Sequence, residues 1–311
     1  MINQHRAIGT YRAIGTYRAY AKINLHLDVL GRRPDGFHNL DMIMQAISLY
    51  DTLTVEIAPE PGVEILCDDS DIPTDERNIV FKAARAFGYT GGLRVAIAKR
   101  IPSGAGLAGG SADAAAVLTA LRDAAAPDMP HEELRDIGAE VGGDVPFCLT
   151  GGCCLARGIG DILSPLPSLP REYAVALVKP AFCVSTAQAY AAIDAMASID
   201  TMASSNATRL RRPNTAMAAA LARRGDWARV FPLCANAFER AVPLPGLEQA
   251  KSLAMQSGAL LCQMTGSGSA VFAVYPRSLK NEGGILRALE TLGGEAQVYA
   301  PIGLGISVKC S

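Results

Sequence analysis

Residues Ile101–Leu118 read IPSGAGLAGGSADAAAVL, a glycine-rich loop that leads directly into an alanine-rich segment. The alanines predict a helix from Ser111 to about Ala125, with Ser111 placed either to cap it or to reach a ligand. The first N–H groups of a helix have no partner within the helix, and they attract anions together with the positive end of the helix dipole. Because glycines let a phosphate approach the backbone closely, this stretch predicts a phosphate-binding loop.

Two known glycine patterns fit this loop poorly. Gly104, Gly106 and Gly109 satisfy G-x-G-x-x-G, but residues 99–103 separate them from the preceding predicted strand, and no acidic residue ends a second strand about twenty positions later. The Walker pattern also fails, because no lysine follows the glycines. A flexible connector, or glycines that permit close helix packing, is the remaining alternative to a phosphate site.

A second glycine-rich turn, MTGSGS at Met264–Ser269, lies between two apolar segments that read as strands. Taken alone, it is typical of a hairpin turn. Taken with the first loop, it can close over the same phosphates from the other half of the chain.

Composition limits the classes of function. The chain has 311 residues, 50% of them hydrophobic and 19% charged, with a formal net charge of −1. This charge gives no support for general nucleic-acid or membrane-surface binding, so a small-molecule partner fits better. The chain begins with no signal-peptide pattern and has no apolar run of about eighteen residues, so we expect a cytoplasmic protein. Its eight cysteines form no metal-binding spacing and are expected to be free thiols.

The hydrophobic patterns predict an α+β fold in two domains. Alternating apolar residues from Tyr17 to Val29 predict a strand with one buried face. The passage SPLPSLP suggests a boundary between domains of residues 17–165 and 166–311. Residues 1–16, which contain a repeated RAIGTY hexapeptide, are left out of the functional analysis because so short a period is not that of a repeat fold. Further strands are expected at 41–50, 52–58, 93–100 and 173–179, around the MTGSGS turn and at the last apolar segment. Helices are expected at 78–87, 131–141, 186–197, 215–223, 246–257 and 278–292. The polar stretch 198–214 has only a loose pattern.

Four segments together carry a family resemblance. They are the glycine loop, AYAKINLHLDVLGRRPDGFHNL at 19–40, GGDVPF at 142–147 and the MTGSGS turn. From about Tyr20 to the last predicted strand, the chain resembles the GHMP kinases. The resemblance implies an N-terminal domain with a left-handed β-α-β unit, a C-terminal ferredoxin-like domain and a site in the cleft between them.

Within this family the chain resembles the members that act in the non-mevalonate pathway to isoprenoid precursors. The resemblance implies transfer of the ATP γ-phosphate to the 2-hydroxyl of 4-diphosphocytidyl-2-C-methyl-D-erythritol. A GHMP kinase acting on homoserine, mevalonate or a sugar is the nearest alternative, and a nucleotide-binding regulator without catalysis is an alternative from another class. The DGFH motif favours the cytidyl substrate, because an aromatic pair that reads a base has no use with the smaller ones.

The resemblance assigns the catalytic roles to Lys22 and Asp144. Asp144 follows two glycines at a predicted helix end, and it is expected to accept the proton of the substrate hydroxyl. Lys22 lies among apolar residues of the first strand, where a cation is unfavourable unless it is paired. We expect the two side chains to pair, because each charge favours the ionised form of the other.

The remaining site residues are also assigned through the resemblance. Asn24 shares a strand face with Lys22 and is expected to contact the methylerythritol hydroxyls. Phe37 and Tyr190 are expected to stack on the two faces of the cytosine, with His38 hydrogen-bonding to it. ATP is the expected cofactor, with Mg²⁺ held largely by phosphates and water, and we expect a monomer or weak homodimer. The residues expected near ATP are Asn78, Lys99, Pro102, Gly104, Ala105, Gly106, Leu107, Ala108, Gly109, Gly110 and Ser111.

Overall fold

A long antiparallel hairpin is the central feature of the computed structural model, which describes residues 11–182, 185–202 and 214–308, except for the side chains of 197–202. Its strands are β1 (Arg12–Arg32) and β2 (His38–Ala58). The strands expected at 41–50 and 52–58 are therefore one continuous strand. β1 also begins earlier than expected, because the second copy of the hexapeptide pairs with the end of β2.

Seven strands form the larger sheet. β2 pairs with β1 along one edge. Along the other edge of β2, one strand pairs with residues 52–58 and another with residues 40–45. The five further strands are β3 (Gly62–Cys67), β4 (Gly92–Ala98), β5 (Cys153–Gly158), β6 (Ile162–Leu166) and β11 (Ile306–Val308). The strand order is β11-β1-β2-β4-β3, with β5 beside β2 and β6 beside β5.

Four helices belong to the same half of the chain: α1 (Ile79–Ala86), α2 (Gly109–Ala125), α3 (His131–Val141) and α4 (Val145–Thr150). The middle of α2 is buried on all sides, which its small alanines permit. β3 and β4 are parallel and are joined through α1, which gives a β-α-β unit.

The second half folds around a four-stranded antiparallel sheet. Its strands are β7 (Tyr173–Val178), β8 (Leu261–Met264), β9 (Val271–Pro276) and β10 (Gln297–Tyr299), in the order β10-β7-β9-β8. With a helix before β8 and another after β9, this is the ferredoxin-like arrangement. The helices are α5 (Thr186–Met202), α6 (Thr215–Arg223), α7 (Trp227–Val230), α8 (Phe238–Ala241), α9 (Leu247–Gln256) and α10 (Glu282–Glu290).

The last strand returns to the first half. β11 pairs with residues 17–19 of β1, so it belongs to the larger sheet rather than to the ferredoxin-like unit. A Cβ on Gly151, whose φ is +68°, would overlap the backbone of Gly305, so the returning segment lies directly on the end of α4. The domain division at residue 165 stays a prediction, with this strand as an exception to it.

Several expectations lie wholly or partly outside the described residues. These include most of the polar stretch at 198–214 and two of the eight cysteines, Cys183 and Cys310. The six cysteines that the structure does describe are free thiols. Among the described helices, none is long and apolar enough to cross a membrane.

A buried histidine links β1 to the second half of the chain. His26 is fully buried, and its Nδ1 accepts the backbone N–H of Ala235 at 3.3 Å, so its Nε2–H donates to Thr215 Oγ1 at 2.9 Å. Burial lowers the pKa of His26 to about 4. The imidazole is therefore neutral in the folded protein at neutral pH.

We expect the stability of the protein to fall with His26 protonation. The folded pKa lies below the unfolded value of about 6.5, so the contribution is present above that value and is lost as the pH falls toward 4. Between about pH 7 and pH 4.5 the loss is about 2.5 kcal/mol. Urea unfolding at both pH values should show this loss in the wild type and not in His26→Gln. An equal loss in both proteins contradicts the assignment.

Candidate active site

A cavity of about 640 Å³ lies where β1, the glycine loop and the second half of the chain meet. Every site residue expected from the sequence lines it except His38, which lines an adjoining cavity of about 570 Å³. The two cavities share Phe37, Thr186 and Tyr190 in their walls. The structure thus brings the expected residues to one continuous space.

The glycine loop bends because its glycines adopt left-handed conformations, with φ of +61° at Gly104 and +75° at Gly106. α2 begins at Gly109 after a left-handed Ala108, which has no capping side chain. Of the two roles left open for Ser111, capping is therefore ruled out, because Ser111 is the third residue inside the helix. The first residues of α2, Gly109 to Ser111, line the cavity, and no side chain caps the helix, so the start of α2 can serve as an anion site.

The two glycine turns meet backbone to backbone. A Cβ on Gly106 would overlap the carbonyl of Thr265, and the N–H of Ala270 donates to the Ala105 carbonyl at 3.2 Å. Gly266 and Ser267 also line the cavity. The MTGSGS turn therefore packs against the glycine loop from the second half of the chain, and residues of both line the same cavity.

Lys22 and Asp144 form an ion pair in the cavity wall. Their Nζ and Oδ2 atoms are 3.7 Å apart, with the lysine 4% and the aspartate 33% exposed. Lys22 Nζ also donates to the Gly106 carbonyl at 2.9 Å and to Asn24 Oδ1 at 2.8 Å. Two of its three N–H donors are thus fixed by the protein, and one is left for Asp144 or a ligand oxygen.

Asn24 helps to hold the Lys22 side chain in place, a role that was not expected from the sequence. Its side-chain oxygen accepts hydrogen bonds from Lys22 and from the backbone N–H of Gly266 at 3.0 Å. Its Nδ2 lies 3.3 Å from Met42 Sδ, a weak acceptor. Contact with a substrate hydroxyl stays a prediction, and the amide N–H groups are the atoms left to make it.

The side chains of two residues expected near ATP, Asn78 and Lys99, make hydrogen bonds or ion pairs with other parts of the protein. Asn78 caps α1, accepting from the Val80 N–H and donating to the Pro73 carbonyl. Lys99 Nζ lies 2.5 Å from Asp51 and 2.8 Å from Asp113, and all three side chains are buried. Asp51 also accepts the N–H groups of Arg100 and Ile101. This cluster, hereafter the Lys99 cluster, ties β2 and α2 to the start of the glycine loop.

An aromatic group lies at the other end of the site. Phe37 is 59% exposed at the rim. The rings of His38 and Tyr190 stack with centroids 4.6 Å apart, and the edge of Tyr190 meets Phe238. His38 Nε2 is 2.7 Å from Asp194 Oδ1. The imidazole of His38 thus lies against the ring of Tyr190, and Phe37 and Tyr190 both line the two cavities.

Several residues that build the site were not expected from the sequence. Asp51 and Asp113 anchor Lys99, Thr265 accepts the Asn24 backbone N–H at 3.0 Å, and Asp194 contacts His38. Of these residues, only Asp194 could have been found from the sequence. It follows Thr186 and Tyr190 at four-residue spacing, which places all three on one face of a predicted helix. The others are brought to the site by contacts between distant segments.

The chain matches two family models. GHMP kinases N terminal domain matches residues 78–152, and GHMP kinases C terminal matches residues 217–292. The first contains the glycine loop and Asp144, and the second contains the MTGSGS turn.

Among curated proteins, the chain is similar to the 4-diphosphocytidyl-2-C-methyl-D-erythritol kinase of Clostridium kluyveri, with 40% identity over 84% of this chain and 91% of the relative. A crystal structure of 4-(cytidine 5'-diphospho)-2C-methyl-D-erythritol kinase matches with a TM-score of 0.70 and 30% identity, over 93% of this chain and all of the other. Homoserine kinase from Cytophaga hutchinsonii matches with a TM-score of 0.73 but 21% identity, over 95% and 97% of the two chains, which shows a shared fold alone.

Proposed function

The chain belongs to the GHMP kinase family, and we propose that it transfers the γ-phosphate of ATP to the 2-hydroxyl of 4-diphosphocytidyl-2-C-methyl-D-erythritol. The observation that carries the proposal is a single cavity joining the glycine loop, the Lys22–Asp144 pair and the aromatic rim. The glycine loop suits the phosphates, the Lys22–Asp144 pair suits the reacting hydroxyl, and the aromatic rim suits the base. The curated relatives of similar sequence have the same activity in their names.

In the proposed mechanism, the glycine loop and the start of α2 hold the ATP phosphates through backbone N–H groups. Asp144 orients the substrate hydroxyl and accepts its proton as the oxygen bonds to the γ-phosphorus and the bond to the β-phosphate oxygen breaks. Lys22 donates its remaining N–H to a reacting oxygen, because its other two are held by Gly106 and Asn24. Fixed donors of this kind stabilise developing charge without reorganisation.

Magnesium fits this site as a companion of ATP. Mg²⁺ commonly binds through one or two protein oxygens with phosphates and water. Among the described residues, no group of three or more His, Cys, Asp or Glu side chains could hold a metal. The Ser111 hydroxyl lines the cavity and is the oxygen we propose as its protein ligand. When bound, the ion would neutralise phosphate charge.

A substrate panel tests the function. Release of ADP from ATP and Mg²⁺ should be fastest with the cytidyl substrate and much slower with homoserine, mevalonate or galactose. A preference for one of these would move the assignment to another GHMP kinase activity. ADP release with none of them, while ATP still binds, would favour a regulator. Cytoplasmic location and a monomeric or weakly dimeric state stay predictions.

Phe37→Ala should weaken substrate binding with little effect on the chemical step. Loss of one stacking face is worth about 1–2 kcal/mol, so KM for the cytidyl substrate should rise roughly 5–30-fold with kcat nearly unchanged. Because Phe37 is 59% exposed, the melting temperature should hardly move. Steady-state kinetics check this, and Phe182→Ala, which removes a 42% exposed ring that lines neither cavity, is the control. An unchanged KM contradicts the stacking role.

A further inference from the structure

One face of α5 forms the wall of the cavity that contains His38. Thr186, Tyr190 and Asp194 follow one another at four-residue spacing, which places them on one side of a helix, and all three line this cavity. Asp194 stands at the far end of the row from the phosphate loop. Its carboxylate is 36% exposed, so it is accessible but not fully solvated.

The contact between Asp194 and His38 fixes where the imidazole carries its proton. Asp194 Oδ1 lies 2.7 Å from His38 Nε2, and an ionised carboxylate only accepts hydrogen bonds. Nε2 must therefore carry a hydrogen, so that whenever the ring has a single N–H, Nδ1 is left as an acceptor. Stacking on Tyr190 at an interplanar angle of 23° restricts rotation of the ring.

We propose that Asp194 is a positioning residue that holds His38 in the Nε2–H tautomer and thereby makes this subsite select cytosine over uracil. The inference rests on the proposed function, because it assumes that the base of the substrate lies between Phe37 and Tyr190. It adds a residue and a chemical basis for the choice of base.

The selection follows from the opposite hydrogen-bonding character of the two bases at position 4. Cytosine has an amino group there, which donates to the Nδ1 lone pair. Uracil has a carbonyl oxygen, which would face that lone pair with no hydrogen between them. A site built around one hydrogen bond rejects a ligand that lacks it, because its polar groups are left unpaired.

The ion pair between Arg32 and Asp194 does not displace the contact of Asp194 with His38. Its Nη1 lies 3.8 Å from the other Asp194 oxygen, and its side chain is 63% exposed. An exposed ion pair at this distance contributes little and leaves the Nε2 contact in place. Asp194 is thus the group through which α5 acts on His38.

Two measurements test the proposal. Nitrogen-15 NMR of the imidazole at about pH 8, assigned with His38→Gln, should show Nε2 protonated and Nδ1 unprotonated in the wild type. Kinetics with the cytidine substrate and its uridine counterpart should give a ratio of kcat/KM of roughly 10² in favour of cytidine. Asp194→Ala should lose the single tautomer and lower the ratio roughly 10-fold, mainly by raising KM for cytidine.

Asp226→Ala is the matched control, because Asp226 is 34% exposed and pairs with Arg229 at 3.5 Å outside both cavities. It should leave the tautomer and the ratio unchanged. An Nδ1–H tautomer in the wild type overturns the proposal, as does an unchanged ratio in Asp194→Ala. If Asp194→Ala does not fold, the wild-type NMR spectrum decides. Failure of the proposed function would appear differently, as no turnover of either nucleotide substrate by the wild type.

Discussion

Asp144→Asn is expected to lower kcat by roughly 10²–10⁴-fold while ATP binding is retained. The amide has nearly the shape of the carboxylate but does not accept the hydroxyl proton. It also removes the charge opposite Lys22, whose Nζ lies 3.7 Å away. Because Asp144 is 33% exposed, its loss should not unfold the protein. Single-turnover measurement of ADP formation, with calorimetric titration of a non-hydrolysable ATP analogue, separates the chemical step from binding.

The control is Asp41→Asn, which also removes a carboxylate from an ion pair. Asp41 lies on β2, contacts Arg157 at 3.0 Å and lines neither cavity. It should keep near-normal turnover. If Asp144→Asn turned over at a rate close to the wild type, Asp144 would not be the proton acceptor.

Lys99→Met is expected to destabilise the fold by about 3–5 kcal/mol, because it leaves two buried carboxylates without their shared cation. Burial pulls the pKa of Lys99 down, but Asp113 and Asp51 more than offset this and raise it, so the side chain is charged in the folded state. Burial raises the pKa of Asp113, and the nearby Asp51 adds to this against the opposing effect of Lys99. Chemical unfolding measures the loss.

Lys251→Met gives a comparison at a solvated site. Lys251 also contacts two carboxylates, Glu239 at 2.8 Å and Glu248 at 3.2 Å, but it is 26% exposed. Its replacement should cost about 1 kcal/mol or less. Adding Asp113→Asn to Lys99→Met should recover part of the stability, because a neutral amide then replaces the buried acid that has lost the Lys99 cation beside it. A loss in Lys99→Met no larger than that in Lys251→Met would show that the Lys99 cluster is not a structural support of the glycine loop.

Local sequence patterns predicted the regular elements well where one face is apolar. The helix expected at 215–223 is observed as α6, and 246–257 contains α9. The strand predicted from Tyr17 to Val29 lies within β1, but the single buried face expected for it is wrong, because residues 21–28 are buried on both faces. Register shifts at Tyr20/Lys22 and Asn24/His26 further break the simple alternation of faces.

Motifs predicted which residues meet at the site, but not how they are held. The glycine loop was readable from its own pattern, whereas Lys22 and Asp144 were assigned through the family resemblance. The helix start was misplaced, since a left-handed alanine is an uncommon cap and Ser111 had the more usual chemistry. The partners of Lys99 were not predictable, because Asp51 lies 48 residues away in a strand whose polar residues also face solvent.

The pairing of β11 with β1 also bears on how the protein folds as it is synthesised. Tyr17 lies opposite Val308, so this edge of the larger sheet stays unpaired until residue 308 has been synthesised. Pairings so distant in sequence carry a large loop-closure entropy and slow the final step of folding. Until that pairing forms, the edge of β1 is a surface to which a strand of another incompletely folded chain can add, so aggregation is expected to compete with this last step of folding.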